Sequence, residues 1–196
     1  MMYDNVIVTD YDGCMALYEH SFHMHMVERG YSSLCDRNFY LMSERYNISE
    51  QESEDLVRAF NESAVLRRLP PVKDAIKYVR KLHEEHGFVF HVITAIPDTR
   101  PVYEARLENI ENLFGKTAIE RLTLCNHSAD KPKYLKEYEG TECLWIEDTP
   151  KNALFGLEFG MKPLLMDRTY NMDFFHPEIE RVNNWKEIYE IATGQR

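Results

Sequence analysis

Val6-Ile7-Val8-Thr9-Asp10-Tyr11-Asp12-Gly13 is a short β-branched apolar run that ends abruptly in two carboxylates and a glycine. An apolar run of this length, bounded by turn residues, is the pattern of a strand buried on both faces, the environment of a strand inside a parallel sheet. The two-residue spacing puts Asp10 and Asp12 on the same side of an extended segment, where both carboxylates can converge on one ion or one reacting group. Standing alone, the string also fits an ordinary solvated turn, because Asp and Gly are common turn residues.

Outward from this stretch the same pattern recurs. Phe88 to Thr94, Arg121 to Cys125, Cys143 to Ile146 and Pro163 to Met166 are short apolar runs separated by stretches of helical character. That alternation predicts βα units and an α/β fold with a Rossmann-like parallel sheet. Between the first two runs lie roughly 75 residues, far more than one crossover helix requires, so a second element is inserted there. From Met15 to Leu69 the insert has no strand-like alternation. Ser49 and Glu52 fit a capping box that opens a helix, and Pro70-Pro71 close the insert. Val72, Ala75, Ile76, Val79 and Leu82 then recur at helical spacing before Gly87. The expected organisation is an α/β core of residues 1–14 and 70–196 with a small helical cap, 15–69. A terminal helix from Asn183 to Ala192 is expected to pack through Trp185, Ile188 and Ile191.

The chain has 196 residues, 44% of them hydrophobic, and a net charge of -10. A chain this long can bury about 70% of its unfolded surface in one core, so folding needs no disulfide or metal staple. The negative balance, with no basic run, argues against a nucleic-acid polymer as partner. No apolar stretch approaches the roughly 20 residues of a membrane helix. The N-terminus, with three Asp and no basic region, does not read as a secretory signal, which places the protein in the cytoplasm as an expectation. Cys14, Cys35, Cys125 and Cys143 are scattered, with neither a CxxC pair nor ligand-spaced histidines, and read as buried thiols.

In an open parallel sheet the ligand crevice lies beyond the carboxyl ends of the strands, so the polar residues after each run carry the functional reading. They are Asp10 and Asp12; Thr94-Ala95; Lys131-Pro132 at a helix entrance; and Glu147-Asp148, followed by Thr149 as a helix cap and Pro150 as a first helical residue. Carboxylates converging from two strands repel one another unless a hard cation sits among them, and an oxygen-rich set with open positions suits Mg²⁺. With a lysine and a hydroxyl added, a phosphoryl group has a cradle, and a carboxylate nucleophile can carry an aspartyl-phosphate intermediate. Blander readings stand beside these. Glu147-Asp148 can simply favour a helix N-terminus, and Thr94 can be a β-branched strand residue. Lys133 is the fallback for Lys131, and Arg100 is either a phosphate contact or a solvated arginine. His20, His23 and His25 match no common zinc spacing. The aromatics Tyr18, Phe22, Tyr31, Phe39 and Tyr40 read as the insert's own core, with one or two available to stack on a base.

The ordered set Asp10-x-Asp12-Gly13, Thr94, Lys131 and Glu147-Asp148 resembles the four motifs of the haloacid dehalogenase superfamily of phosphohydrolases, and spans residues 10 to 148. The resemblance implies Asp10 as nucleophile and Asp12 as general acid and then base. It implies Thr94, with Ala95, and Lys131 as holders of the phosphoryl oxygens. Mg²⁺ would be held by the Asp10 carboxylate, the Asp12 backbone carbonyl and Asp148, with Glu147 acting indirectly. A narrower resemblance, to the 5'(3')-deoxyribonucleotidases, rests on the position of the small helical cap, on Leu69 to Ala75, on Asp130-Lys131 and on Asp167-Arg168-Thr169-Tyr170-Asn171. Two departures accompany it: Cys14 stands where Val or Thr is usual, and Thr94-Ala95-Ile96-Pro97 stands where those nucleotidases have Ser-Pro. The expected activity is Mg²⁺-dependent hydrolysis of a small-molecule phosphomonoester, a nucleoside monophosphate by preference. The rivals are a phosphotransferase, a sugar-phosphate phosphatase or mutase on the same scaffold, and a non-catalytic phospholigand-binding protein.

Overall fold

The computed structural model describes residues 3–34 and 41–196. Strand β1 (Val6–Thr9) is buried along its whole length. It is joined by β2 (Val89–Ala95), β3 (Ile119–Cys125), β4 (Leu144–Glu147), β5 (Lys162–Met166) and β6 (Glu180–Val182). All pairings are parallel, in the order β3-β2-β1-β4-β5-β6. The period of two in β1 divides the core: Ile7 points into the larger cluster with Phe90, Val92 and Trp185, while Val6 and Val8 point into the opposite one with Trp145, Ile93 and Leu135. Each such aliphatic side chain stabilises the fold by roughly 1.5–3 kcal/mol on burial.

The helices are α1 (Tyr18–Glu28), α2 (Met42–Tyr46), α3 (Glu50–Asn61), α4 (Ala75–His86), α5 (Arg100–Phe114), α6 (Lys131–Leu135), α7 (Pro150–Glu158) and α8 (Trp185–Ala192). The first three lie in the long connection between β1 and β2, in which no strand of the sheet occurs among the described residues. Ser49 is extended and its side chain accepts from the Glu52 N–H at 3.2 Å, opening α3 as expected. The Glu52 carboxylate does not complete the predicted box; it accepts from the Tyr31 hydroxyl at 2.8 Å.

Helix α4 begins at Ala75 rather than Val72, because the residues before it are committed elsewhere. Leu17 donates to the Pro70 carbonyl and Val72 to the Met15 carbonyl, both at 2.8 Å, stitching the end of the insert to its beginning. The helix stops at Gly87, whose φ of 72° supplies the left-handed cap. Strand β6 was not expected from sequence, since three residues with two charges carry no readable period.

The C-terminal helix is held from three directions. The Asn184 side chain accepts from the Glu187 N–H at 3.1 Å. Asp74 accepts from the N–H groups of Trp185 and Lys186 at 3.1 and 3.2 Å. The Trp185 indole donates to the Cys14 carbonyl at 2.9 Å, so α8 anchors the loop that follows β1. Cys14, Cys125 and Cys143 are buried free thiols, and Cys35 lies outside the described residues. No helix among the described residues is long and apolar enough to cross a membrane. Strand order reverses between β1 and β4, and the crevice at their carboxyl ends is the switch point where open α/β sheets bind ligands.

Candidate active site

Asp10 leaves β1 at the floor of that crevice, its N–H still paired with the Ile146 carbonyl of β4 at 2.8 Å. Its carboxylate accepts from the Tyr11 N–H at 2.8 Å and lies 3.0 Å from the Lys131 ammonium. Burial raises the Asp10 pKa to about 7, against the pull of Lys131 and with help from Glu147 and Asp12.

Lys131 opens α6 and is 1% exposed. It donates to Glu147 Oε1 at 2.6 Å. Burial alone favours the neutral amine, but Asp10 and Glu147 more than offset it and hold the ammonium charged. Glu147 is also fully buried, yet its pKa lies below the usual range: burial is outweighed by Lys131 and by N–H donors. The N–H groups of Asp148 and Thr149 reach Oε2 at 2.6 Å, and Asn152 reaches Oε1 at 2.7 Å. With four donors already on it, Glu147 anchors the lysine and the entrance of α7. Lys133, the fallback, is exposed.

Asp12 turns to the other side of the crevice. Its Oδ2 accepts from Arg106 of α5 at 2.6 Å and from the Thr94 hydroxyl at 3.5 Å, while Oδ1 is buried without a hydrogen-bond partner. Burial raises the Asp12 pKa, with Arg106 opposing. Thr94 is wholly buried near the carboxyl end of β2, and Ala95 is exposed beside it at the cavity wall.

Asp148 closes the ring from β4. Its Oδ2 accepts from the Tyr170 hydroxyl, its Oδ1 accepts from Thr149 at 3.3 Å, and its carbonyl accepts from Asn171 at 2.7 Å. Thr149 thus spends its hydroxyl on Asp148 rather than on capping α7. Burial, then the neighbouring Glu147 and Asp10, push the Asp148 pKa well above the carboxylate range. Arg168 donates through Nε to the Gly13 carbonyl at 3.0 Å. The loop after β5 is therefore a wall of the site.

These groups line a cavity of about 470 Å³, within the range of small-molecule sites. Asp10, Asp12, Thr94, Ala95, Lys131 and Asp148 all face it, together with Ser128, Asn152 and Tyr170. The opposite wall comes from the connection between β1 and β2: Tyr18, Glu19, Leu41, Met42, Ser43, Glu50, Ser53, Glu54, Val57 and Asn61. No Lys or Arg lies on that wall among the described residues. Other candidates sit elsewhere. Arg100 is 89% exposed and pairs with Glu104. His23 bonds the Tyr46 hydroxyl at 2.9 Å and His25 packs on Phe22 and Phe60, so these two serve the interior of the β1–β2 connection, while His20 is exposed. Phe22 is buried there too, Tyr18 reaches the cavity, and Phe39 and Tyr40 lie outside the described residues.

Asp10, Glu147 and Asp148 each bring a carboxylate oxygen within 4.8 Å of the others. The cations paired with the four site carboxylates, counting Asp12, are Lys131 and Arg106. Four carboxylates thus share two cations, and burial, with the neighbouring carboxylates adding to it, raises the pKa values of Asp10 and Asp148. A divalent cation fits both the charge and the all-oxygen donor set. Arg106, Asn152 and Tyr170 have no place in the motif reading. Tyr170 and Asn171 carried a sequence signal only as part of the nucleotidase-like string.

No family model matches the chain. An uncharacterised 32.4 kDa protein of Enterobacteria phage T4 is 26% identical over 156 residues, covering 78% of this chain and 55% of that protein. A nucleotidase of Clostridium acetobutylicum is 33% identical over 137 residues, covering 59% of this chain and 65% of the relative. The matched region therefore spans little more than half to two thirds of these curated relatives. Among solved structures, a haloacid dehalogenase-like hydrolase from Streptococcus pneumoniae superposes with a TM-score of 0.68 at 16% identity, over 97% of this chain and 99% of that one. The D,D-heptose 1,7-bisphosphate phosphatase of B. bronchiseptica, crystallised with magnesium and phosphate, gives 0.59 at 10% identity, over 98% and 99%. This chain has the fold of the haloacid dehalogenase-like hydrolases, the family its sequence motifs resemble.

Proposed function

We propose that this protein is a divalent-cation-dependent phosphomonoester hydrolase acting on nucleoside monophosphates, with residues 15–69 as a cap over a core of 1–14 and 70–196. The observation that carries the reading is the buried Asp10 carboxylate, 3.0 Å from Lys131 on the floor of a cavity that Asp12 and Thr94 also face. A carboxylate so placed can attack phosphorus while Lys131 and Thr94 hold the phosphoryl oxygens. As the bond from Asp10 to phosphorus forms, the ester bond breaks and Asp12 passes a proton to the leaving oxygen. Asp12 then takes a proton from water, which attacks phosphorus, releases phosphate and restores Asp10. Mg²⁺ bound by the Asp10 and Asp148 carboxylates would neutralise charge on the phosphoryl group. Glu147, saturated with donors, keeps Lys131 in place.

The nucleotide preference draws on the nucleotidase relative and on the composition of the cap wall. Hydroxyl and carboxylate acceptors at Glu19, Ser43, Ser53 and Glu54 suit the hydroxyls and amino groups of a nucleoside, and Tyr18 offers an aromatic face. Carboxylates there disfavour a leaving group bearing a second phosphate. The test is phosphate release from nucleoside monophosphates, sugar phosphates and sugar bisphosphates, with Mg²⁺ and with chelator. Wild type should release phosphate only with metal, and Asp10→Asn should be folded and inactive. Undiminished turnover by Asp10→Asn would overturn the mechanism, and release confined to sugar phosphates would overturn the substrate class.

A further inference from the structure

Arg106 lies on α5 with its side chain 0% exposed, a costly place for a guanidinium. One nitrogen, Nη2, donates to Asp12 Oδ2 at 2.6 Å, while Nε and Nη1 are buried without acceptors. The planar group lies 4.5 Å over the Tyr11 ring. Tyr11 in turn donates to Asn109, one turn further along α5, at 2.7 Å, and Asn109 donates to the Leu69 carbonyl at 3.0 Å. An apolar side chain would fill this interface without the desolvation cost, so packing does not explain the arginine. What it contributes is an ion pair to one oxygen of Asp12. The other oxygen, Oδ1, is left with no protein partner.

We propose that Arg106 is a positioning residue for Asp12: its bond to Oδ2 fixes the orientation of the carboxylate at the cavity, where the bond being cleaved would lie. This rests on the phosphomonoesterase reading, in which Asp12 hands a proton to the leaving oxygen. The proton moves from Asp12 to that oxygen as the ester bond breaks and the bond from Asp10 to phosphorus forms. Arg106 then faces the carboxylate left behind. It touches neither phosphorus nor the leaving group, so its effect depends on how much the leaving group needs a proton. An alkoxide needs one and a p-nitrophenolate does not.

The test compares kcat/KM, which reports steps through loss of the leaving group, for two esters in wild type, Arg106→Lys and Arg106→Met. One ester is p-nitrophenyl phosphate; the other is the alkyl phosphate that wild type turns over fastest among nucleoside monophosphates and sugar phosphates. Arg106→Met should lose about 10²-fold or more on the alkyl ester, the scale of a misplaced general acid, and only a few-fold on the aryl ester. Arg106→Lys, which keeps the charge without the fork, should show a smaller loss with the same selectivity. It decides the matter if Arg106→Met does not fold. Equal losses on both esters, or none, overturn the proposal. Silence of the wild type on every alkyl phosphate overturns the phosphomonoesterase reading, and this one falls with it.

Discussion

Gly13 is the residue on which the site closes. Its φ of +80° is a conformation that costs a residue with a side chain about 1–2 kcal/mol. A Cβ there would lie 1.8 Å from Asp148 Oδ2 and 3.3 Å from the Tyr170 hydroxyl. Gly13→Ala therefore has to displace the Asp148 carboxylate from its place in the site. The expected result is a melting temperature lower by several degrees, at about 2–4 °C per kcal/mol for a chain of this size, together with at least tenfold more Mg²⁺ for half-maximal activity. Thermal melts and a metal titration of turnover measure both. At this scale the sequence was readable where chemistry and strand ends coincide, as at Asp10, Asp12 and Asp148. Arg106 went unread although it stands four residues from both Val102 and Ile110 on the buried stripe of α5, because that spacing marks burial and not the carboxylate the arginine meets there. The sequence favoured Lys131 over Lys133 for its place at a helix entrance before Pro132, and the structure separates the two by burial, at 1% exposure for Lys131 and an exposed position for Lys133.

Helix caps allow the elements to be tested separately. Ser49 caps α3, which presents Glu50, Ser53, Glu54 and Val57 to the cavity. Asn184 caps α8, which packs on the core away from it. Each cap accepts one backbone N–H, so Ser49→Ala and Asn184→Ala should each cost about 1 kcal/mol of stability in denaturant melts. Only Ser49→Ala should also raise KM, with kcat little changed, because only α3 borders the substrate. A KM unaffected by Ser49→Ala would remove α3 from the substrate-binding wall. The first five strands and helices α3 and α8 were legible to within a few residues, since buried strands, caps and amphipathic helices write their patterns into the chain, whereas α1, α2 and α5 were given no positions. The start of α4 was not legible, because Val72 donates to Met15, a partner 57 positions earlier in the chain. Nor was β6, three residues long and defined by its pairing with β5.

For the whole molecule the dominant feature is a concentration of like charge at the switch point of the sheet. Burial, with neighbouring carboxylates adding to it, raises the pKa values of Asp10 and Asp148, so without metal their ionisation works against folding, whereas Lys131 and N–H donors hold Glu147 ionised. Mg²⁺ binding only to the folded state should raise the melting temperature with the logarithm of its concentration. Asp148→Asn removes one charge yet can still accept from Tyr170, so it should melt at or above the wild type in chelator and gain little from added Mg²⁺. Scanning fluorimetry at graded Mg²⁺ reads both effects, and a destabilised, metal-responsive Asp148→Asn would contradict this account. The sequence by itself determined the parallel α/β architecture, the insertion after the first strand and the carboxylates at the strand ends, because these are local patterns of burial and turn chemistry. Only the tertiary structure decided which oxygen of Asp12 is held and by what, that Glu147 serves Lys131, and that the loop carrying Tyr170 closes on Asp148. Those are contacts between groups distant in the chain, and no local period records them.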